Sequence, residues 1–244
     1  MTQKISVVII TKNEEAKIEA CLQSVEWADE IIVIDSGSTD RTIEMCHSHT
    51  NLIFVESWEG YGAQKNKGIA RSSCEWVLNI DADERVPPAL VEEIQRILLR
   101  QTEMEGFQIP FRHFIGDKLI AHSGYTPDYH LRLFRSSFRF EGTVHESVSC
   151  TKVGYIKNPI HHYTYDDIAA FVTKINRYTS LEADKETRHA GFLRFVLGPS
   201  KEFAKRYFYQ KGFLDGRLGL IICGMHAAYV LLKYAKTLEK QGWK

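Results

Sequence analysis

Four short apolar runs recur in the first 80 positions, and each gives way to a polar stretch. They are Ile5–Ile10, Glu30–Ile34, Leu52–Val55 and Trp76–Ile80. Runs of this length without alternation mark strands buried on both faces. After the first run, Ile18, Cys21, Leu22 and Val25 share one helical face. Pro88 opens another helix, with Leu90, Val91, Ile94, Ile97 and Leu98 at helical spacing. Strands alternating with helices predict an α/β fold, a parallel sheet with helices on both faces. A hydrophobic fraction of 44% suffices for one core, or a core with an appendage.

The fourth run leads into Asp81-Ala82-Asp83-Glu84. In open α/β sheets ligands bind where strands end. Residues i and i+2 of an extended segment point the same way, so Asp81 and Asp83 can face one ligand. Adjacent carboxylates repel unless a cation lies near them, and Mg²⁺ or Mn²⁺ would bring phosphate oxygens with it. A solvated acidic turn capping the next helix is the alternative, and spacing leaves both open. The glycine fingerprint of dinucleotide enzymes and the Walker loop are absent.

From 106 to 160 the pattern changes to short strands and turns, and from Asp166 it becomes helical, with breaks expected near Gly198-Pro199 and from Gly212 to Gly219. The expected division is a domain over 1–165 and a helical extension over 166–244. Residues 1–170 carry 17 Lys+Arg against 25 Asp+Glu, a net of −8, and residues 171–244 carry 14 against 6, a net of +8. A basic tail on an acidic body suits an anionic membrane surface; no nucleic-acid module is visible. Lys201, Lys205, Arg206, Lys211 and Arg217 are interleaved with Phe203, Tyr207, Phe208 and Phe213, a pattern of monotopic helices, although a dimer interface would use the same residues. Five scattered cysteines without a C-x-x-C pair read as reduced. A strand directly at the N-terminus leaves no room for a signal peptide, and Leu218–Leu232 is shorter than the ~20 residues of a spanning helix. The expectation is a cytoplasmic protein, peripheral on the inner membrane.

The polar strand ends, Thr11-Lys12-Asn13-Glu14, Asp35-Ser36-Gly37-Ser38-Thr39-Asp40 and Asp81-Ala82-Asp83-Glu84, together with Gln64-Lys65-Asn66-Lys67-Gly68, resemble family 2 glycosyltransferases with a GT-A fold. The resemblance covers about the first 165 residues. Asn79–Glu84, His130–Arg135, Gly142–Glu146, His161-His162-Tyr163 and Lys211–Gly216 are similar to the bacterial lipopolysaccharide core β-glucosyltransferases.

The resemblance implies a role for each position. Thr11, Asn13, Glu14, Asp35 and Asp40 line a nucleotide and donor pocket, with Asp35 on uracil or ribose. Lys65 lies near the diphosphate or sugar. Asp81 contacts ribose, donor sugar or a metal-bound water. Asp83 binds the divalent metal, with His162 as a further ligand and His161 in competition. Glu146 is the general base, although His145-Glu146 departs from the family's usual Glu-Asp. Arg132 and Arg135 hold an acceptor phosphate, or else form the solvated face of a strand. The implied reaction is inverting transfer from UDP-glucose to an inner-core lipopolysaccharide sugar, a heptose. Another family 2 reaction and a non-catalytic binding role are the alternatives.

Overall fold

The computed structural model describes residues 3–142, 147–186 and 192–242. It divides into two compact units, Met1–Phe111 with Asp128–His162, and Arg112–Pro127 with Tyr163–Lys244.

The first unit begins β1 (Ile5–Thr11), α1 (Ile18–Gln23), β2 (Glu30–Asp35), α2 (Thr42–Cys46), β3 (Ile53–Val55), α3 (Tyr61–Ile69), β4 (Trp76–Asp81), β5 (Glu84–Arg85) and α4 (Pro88–Leu98). It continues with most of β6 (Gly106–Ile115); after β7 (Lys118–Ile120), in the second unit, come β8 (Tyr129–Arg135), β9 (Phe140–Glu141), β10 (Ser147–Val148), β11 (Val153–Tyr155) and the start of β12 (Ile160–Tyr165). The strand order is β3-β2-β1-β4-β8-β6, parallel through β4. β8 then runs antiparallel to β4 and β6. Every β1 residue is buried, because the sheet is covered on both faces.

Strand parity divides the core. Ile5, Val7, Ile9, Val33, Trp76 and Leu78 pack with Ile18 and Leu22 of α1 and Leu90 and Ile94 of α4. Val8, Ile10, Ile32, Ile34 and Val77 pack on the other face with Ile69 and Phe134. The segment around Lys65 is a helix whose buried positions include Gln64, Lys65 and Gly68. A Cβ at Gly68 would stand 2.3 Å from a Val8 methyl, so glycine lets α3 press onto β1.

The second unit holds the end of β6 with β7, the end of β12, α5 (Ile168–Lys185), α6 (Phe192–Ala204) and α7 (Gly216–Lys240). A π-helical turn, Lys205–Tyr209, and a 3₁₀ turn, Gly212–Asp215, join α6 to α7. Ile115, Ile120, Phe171, Ile175 and Ile222 form its core. The break expected at Gly198-Pro199 does not occur, because α6 carries Pro199 internally. Its Gly198 packs against Val230 and Tyr234 of α7, and tertiary packing overrides the local breaker. The chain turns instead at Lys211, whose φ of 58° is left-handed. Gly212–Lys240, 29 residues, is long and apolar enough by length and composition to cross a membrane. That corrects the expectation from the apolar run alone, since a helix also counts the residues flanking the run, 212–217 and 233–240, toward its span.

Candidate active site

At the ends of β1 and β2 the two loops are laced together. Asp35 is fully buried, and its Oδ1 accepts from the amides of Gly37 and Ser38, each at 2.7 Å. Its Oδ2 accepts from the Ser38 hydroxyl. Gly37, with φ of 84°, supplies the turn. Asn13 takes the left-handed conformation, donating from its amide to Ser38 Oγ at 2.8 Å and accepting from the Thr39 amide at 2.8 Å. The Glu14 amide donates to Thr42 Oγ1 at 2.8 Å. Asp40 accepts from the Thr42 hydroxyl at 2.6 Å and the Glu15 amide at 3.2 Å, and the Thr42 hydroxyl foremost lowers its pKa. Asp35 thus spends its acceptors on its own turn, and Asp40 spends its own on Thr42 and on the loop after β1. Thr11 Oγ1 and Gln64 Oε1 are buried at this edge without a hydrogen-bond partner. Gln64 Nε2 donates to Ser36 Oγ at 3.0 Å and the Ser57 carbonyl at 2.9 Å.

At the end of β4 the arrangement is ionic and long-range. Arg132 of β8 is buried. Its Nη2 donates to Glu84 Oε1 at 2.6 Å and Asp81 Oδ2 at 3.2 Å, and its Nη1 to Asn79 Oδ1 at 3.2 Å. The guanidinium lies 5.1 Å from the centroid of the Phe111 ring. Glu84 is fully buried and also accepts from the Asp81 amide at 2.9 Å. Lys65 Nζ stands 3.9 Å from Asp81 Oδ1. That oxygen is buried without a hydrogen-bond donor, although about a third of the side chain, 32%, is open.

Burial works against the Asp81 carboxylate, but the Arg132 and Lys65 cations outweigh it and lower its pKa to about 2. Glu84 shifts the other way. Its burial, opposed by Arg132 and reinforced by the charge of Asp81, raises its pKa to about 7. Two carboxylates share one guanidinium, and the deeper of them gives way. β12 pairs antiparallel with β5, His162 opposite Glu84 and His161 opposite Arg85. This register brings His162 Nε2 within 3.2 Å of Asp83 Oδ2. Burial disfavours the His162 cation, yet the Asp83 hydrogen bond and nearby carboxylates prevail and its pKa is raised.

Lys65, Asp81, Asp83 and His162 therefore gather in one cluster. Arg132, expected on an acceptor phosphate, joins it as a buried counter-ion, with its donors turned onto Asn79, Asp81 and Glu84. Arg135 is elsewhere. It sits opposite Trp76 at the far end of β4, 4.2 Å from the centroid of that indole, and donates to the Thr102 carbonyl. Glu146 lies outside the described residues. Sequence reasoning missed Asn79 and Glu84, whose partners are chosen by the β4–β8 register.

Among the described residues no group of three or more His, Cys, Asp or Glu is placed to hold a metal ion. The Asp83–His162 pair, with the orphaned Asp81 Oδ1 in the same cluster, is a partial set of hard oxygen and imidazole donors. That chemistry fits Mg²⁺ or Mn²⁺ completed by diphosphate oxygens.

The model of glycosyl transferase family 2 matches residues 6–164. The lipopolysaccharide core biosynthesis glycosyltransferase LpsC of Rhizobium meliloti (strain 1021) is 30% identical over 260 residues, covering 98% of this chain and 94% of the relative. An uncharacterised glycosyltransferase of Rickettsia typhi is 33% identical over 264 residues, covering 97% and 87%. The crystal structure of Staphylococcus aureus TarS 1–349 matches with a TM-score of 0.50 at 16% identity, over 98% of this chain and 92% of that one, a likeness of fold alone. With the sheet-edge cluster in place and a family match across most of the chain, this protein is a family 2 glycosyltransferase of GT-A fold, related to those of lipopolysaccharide core synthesis.

Proposed function

We propose that the chain transfers glucose from UDP-glucose to a heptose of the lipopolysaccharide inner core, with inversion and with a divalent cation. The carrying observation is the cluster of Asp81, Asp83 and His162 beside Lys65. Kinship with LpsC, named for lipopolysaccharide core biosynthesis, supports the acceptor class.

In this reading the uridine lies along the β1–β2 edge. Thr11 Oγ1 offers it a hydrogen bond, while Asn13, Glu14, Asp35 and Asp40 hold the loops around it. Asp83 and His162 would hold the cation, whose Lewis acidity offsets charge on the departing diphosphate. Lys65 adds a fixed positive charge beside it. Asp81, kept ionised by Arg132 and Lys65, accepts a hydrogen bond from a donor hydroxyl through Oδ1. The acceptor hydroxyl oxygen bonds to the glucose anomeric carbon from the face opposite UDP. The bond from that carbon to the β-phosphate oxygen breaks, and UDP leaves with the electron pair. Glu146 is assigned the acceptor's proton. One displacement with one base inverts the anomeric centre.

The second unit is the proposed peripheral contact with the cytoplasmic face of the inner membrane. Residues 171–244 carry a net charge of +8, and Phe208, Tyr209, Leu214 and Leu220 are exposed there.

The test is UDP release from a panel of UDP-sugars, with and without Mn²⁺ or Mg²⁺ and with truncated lipopolysaccharide as acceptor. Metal-dependent, acceptor-stimulated release from UDP-glucose is expected. Release from another sugar alone would refute the donor assignment, and metal-independent release would refute the cation.

A further inference from the structure

The second unit gives α7 partners on two of its sides and leaves a third open. Inward, Ile222 lies in the core of the unit with Leu218 and Met225 packed beside it. A cavity of about 420 Å³ opens on the same side, lined among others by Phe171, Tyr229 and Val230. There α7 is also tied to α5. The Tyr229 hydroxyl donates to Glu182 at 2.6 Å, Lys233 Nζ stands 2.7 Å from Glu182 Oε2, and Lys236 Nζ donates to the Asn176 carbonyl at 2.7 Å. On the next side Gly198 of α6 packs against Val230 and Tyr234. At 3.6 residues per turn, Ile221, Gly224, Ala228, Leu231, Leu232 and Ala235 fall together on the remaining face. Ile221, Leu231 and Leu232 are exposed, and a Cβ on Gly224 would meet nothing within 4 Å. Charge stands on this face only at its ends, as Arg217 and Glu239. Both are exposed, and among the described residues neither is held in an ion pair.

The face is self-complementary about Ala228. Arg217 stands eleven positions before it and Glu239 eleven after; Ile221 and Ala235 stand seven to either side, Gly224 and Leu232 four. A second α7 laid antiparallel, with a twofold axis beside Ala228, therefore sets Arg217 against Glu239, Ile221 against Ala235 and Leu232 over Gly224. Each large side chain meets a small one, and each cation meets an anion. Spacings of three and four are those of closely packed helix pairs, and glycine and alanine at the crossing let the two backbones approach. An anionic bilayer would gain little apolar area from Gly224 and Ala228 and would repel Glu239. We propose that the outer face of α7 is the interface with a second copy of this chain, an isologous antiparallel helix pair. The inference goes beyond the enzymatic reading. It leaves Phe208, Tyr209 and Leu214, in the turns between α6 and α7, for the membrane contact. The end charges fix direction and register, and the apolar face supplies the affinity.

The test is sedimentation equilibrium of the full chain in detergent-free buffer, across micromolar concentrations. Wild type is expected to equilibrate between monomer and dimer. Gly224→Gln has open space in the monomer but fills the hollow that receives Leu232, so it should weaken the dimer about tenfold or more. Arg217→Glu alone and Glu239→Arg alone each set like charges face to face at both ends, and each should weaken it several-fold. The two reversals combined recreate the opposite-charge pairs and should restore wild-type association. These end positions are exposed, so the charge variants keep the test decisive if Gly224→Gln melts differently from wild type. A monomer at every concentration, or a dimer indifferent to Gly224→Gln, overturns the interface. Failure of the combined reversal to restore association overturns its antiparallel pairing. A monomer that sediments with phosphatidylglycerol vesicles, and ceases to when Leu231→Gln and Leu232→Gln are combined, gives the face to the bilayer and likewise overturns the proposal. No donor or acceptor is present in these measurements, so their failure is distinct from failure of the enzymatic reading.

Discussion

Both units bury polar groups around an opening, and they do so in opposite ways. In the first unit charge is kept. Asp81 is held ionised with a pKa near about 2, and Arg132 is buried among carboxylates. In the second unit the ions are paired and one imidazole loses its charge. Burial foremost, with the Arg206 cation adding to it, lowers the pKa of His226 to about 3 and leaves that imidazole neutral. The first opening ends with an orphaned carboxylate oxygen, so it has charge to offer a ligand. At the second, Tyr229, His226 and Arg206 are bonded to Glu182, Tyr125, Glu202 and the Ser123 carbonyl. Buried polarity alone therefore does not identify a polar site; what matters is whether the groups are satisfied without a ligand.

The largest effects should come from the charged cluster. Asp83→Ala removes one member of the Asp83–His162 pair and little of the core. Its kcat/KM for UDP release should fall by ~10³ or more, about 4 kcal/mol in the barrier, with an unchanged circular dichroism spectrum. A loss under tenfold would mean that the retained charge is structural, and the contrast between the units would lose its functional meaning. Arg132→Met comes next. It strands Glu84 and Asp81 without their buried cation, and urea unfolding should show a loss of about 3–5 kcal/mol. Adding Glu84→Gln should recover part of it, because the two side chains are coupled at 2.6 Å. Strict additivity of the two substitutions would deny that coupling.

Legibility in the sequence follows the same division. β1, β2 and β4 were readable because strands buried on both faces need unbroken apolar runs, and α4 because Leu90, Ile94 and Leu98 keep helical spacing on its buried side. α3 was harder, since much of what it buries is Gln64, Lys65 and Gly68 rather than an apolar stripe. Asp81 and Asp83 could be chosen as polar groups at a strand end, whereas Lys65 and His162 came only from the resemblance to family 2 glycosyltransferases. The turning of Arg132 inward, the parting of Arg135 from it and the burial of Glu84 depend on which residues face each other across β4, β8, β5 and β12. Register of that kind joins positions about 50 to 80 apart and leaves no local pattern. α6 ran through Gly198-Pro199 for a related reason, its packing on α7.

A smaller effect tests the neutral side of the contrast. With a folded pKa of about 3 against an ordinary 6.5, His226 takes up its proton more readily in the unfolded chain. Its contribution to stability is complete above about pH 6.5 and is lost as pH falls toward 3. The loss amounts to about 2 kcal/mol by pH 5. His226→Gln, which can keep a hydrogen bond to Tyr125, should remove that part of the pH dependence in urea unfolding at pH 7.5 and pH 5. Parallel curves for the two proteins would show that the imidazole is not held neutral.

The smallest effect separates the carboxylates of the first unit from one another. Asp35 is as buried as Glu84, but its bonds come from Gly37 and Ser38 in its own turn. An asparagine carbonyl can accept from both amides, and only the bond from the Ser38 hydroxyl to Oδ2 is lost. Asp35→Asn should therefore cost about 1 kcal/mol in urea unfolding. Its KM for UDP-sugar should change less than about threefold, against the ~10³ expected for Asp83→Ala. A large rise in KM with unaltered stability would place the Asp35 carboxylate on the nucleotide itself. The loop after β2 would then belong with the one after β4, as a turn that a ligand completes.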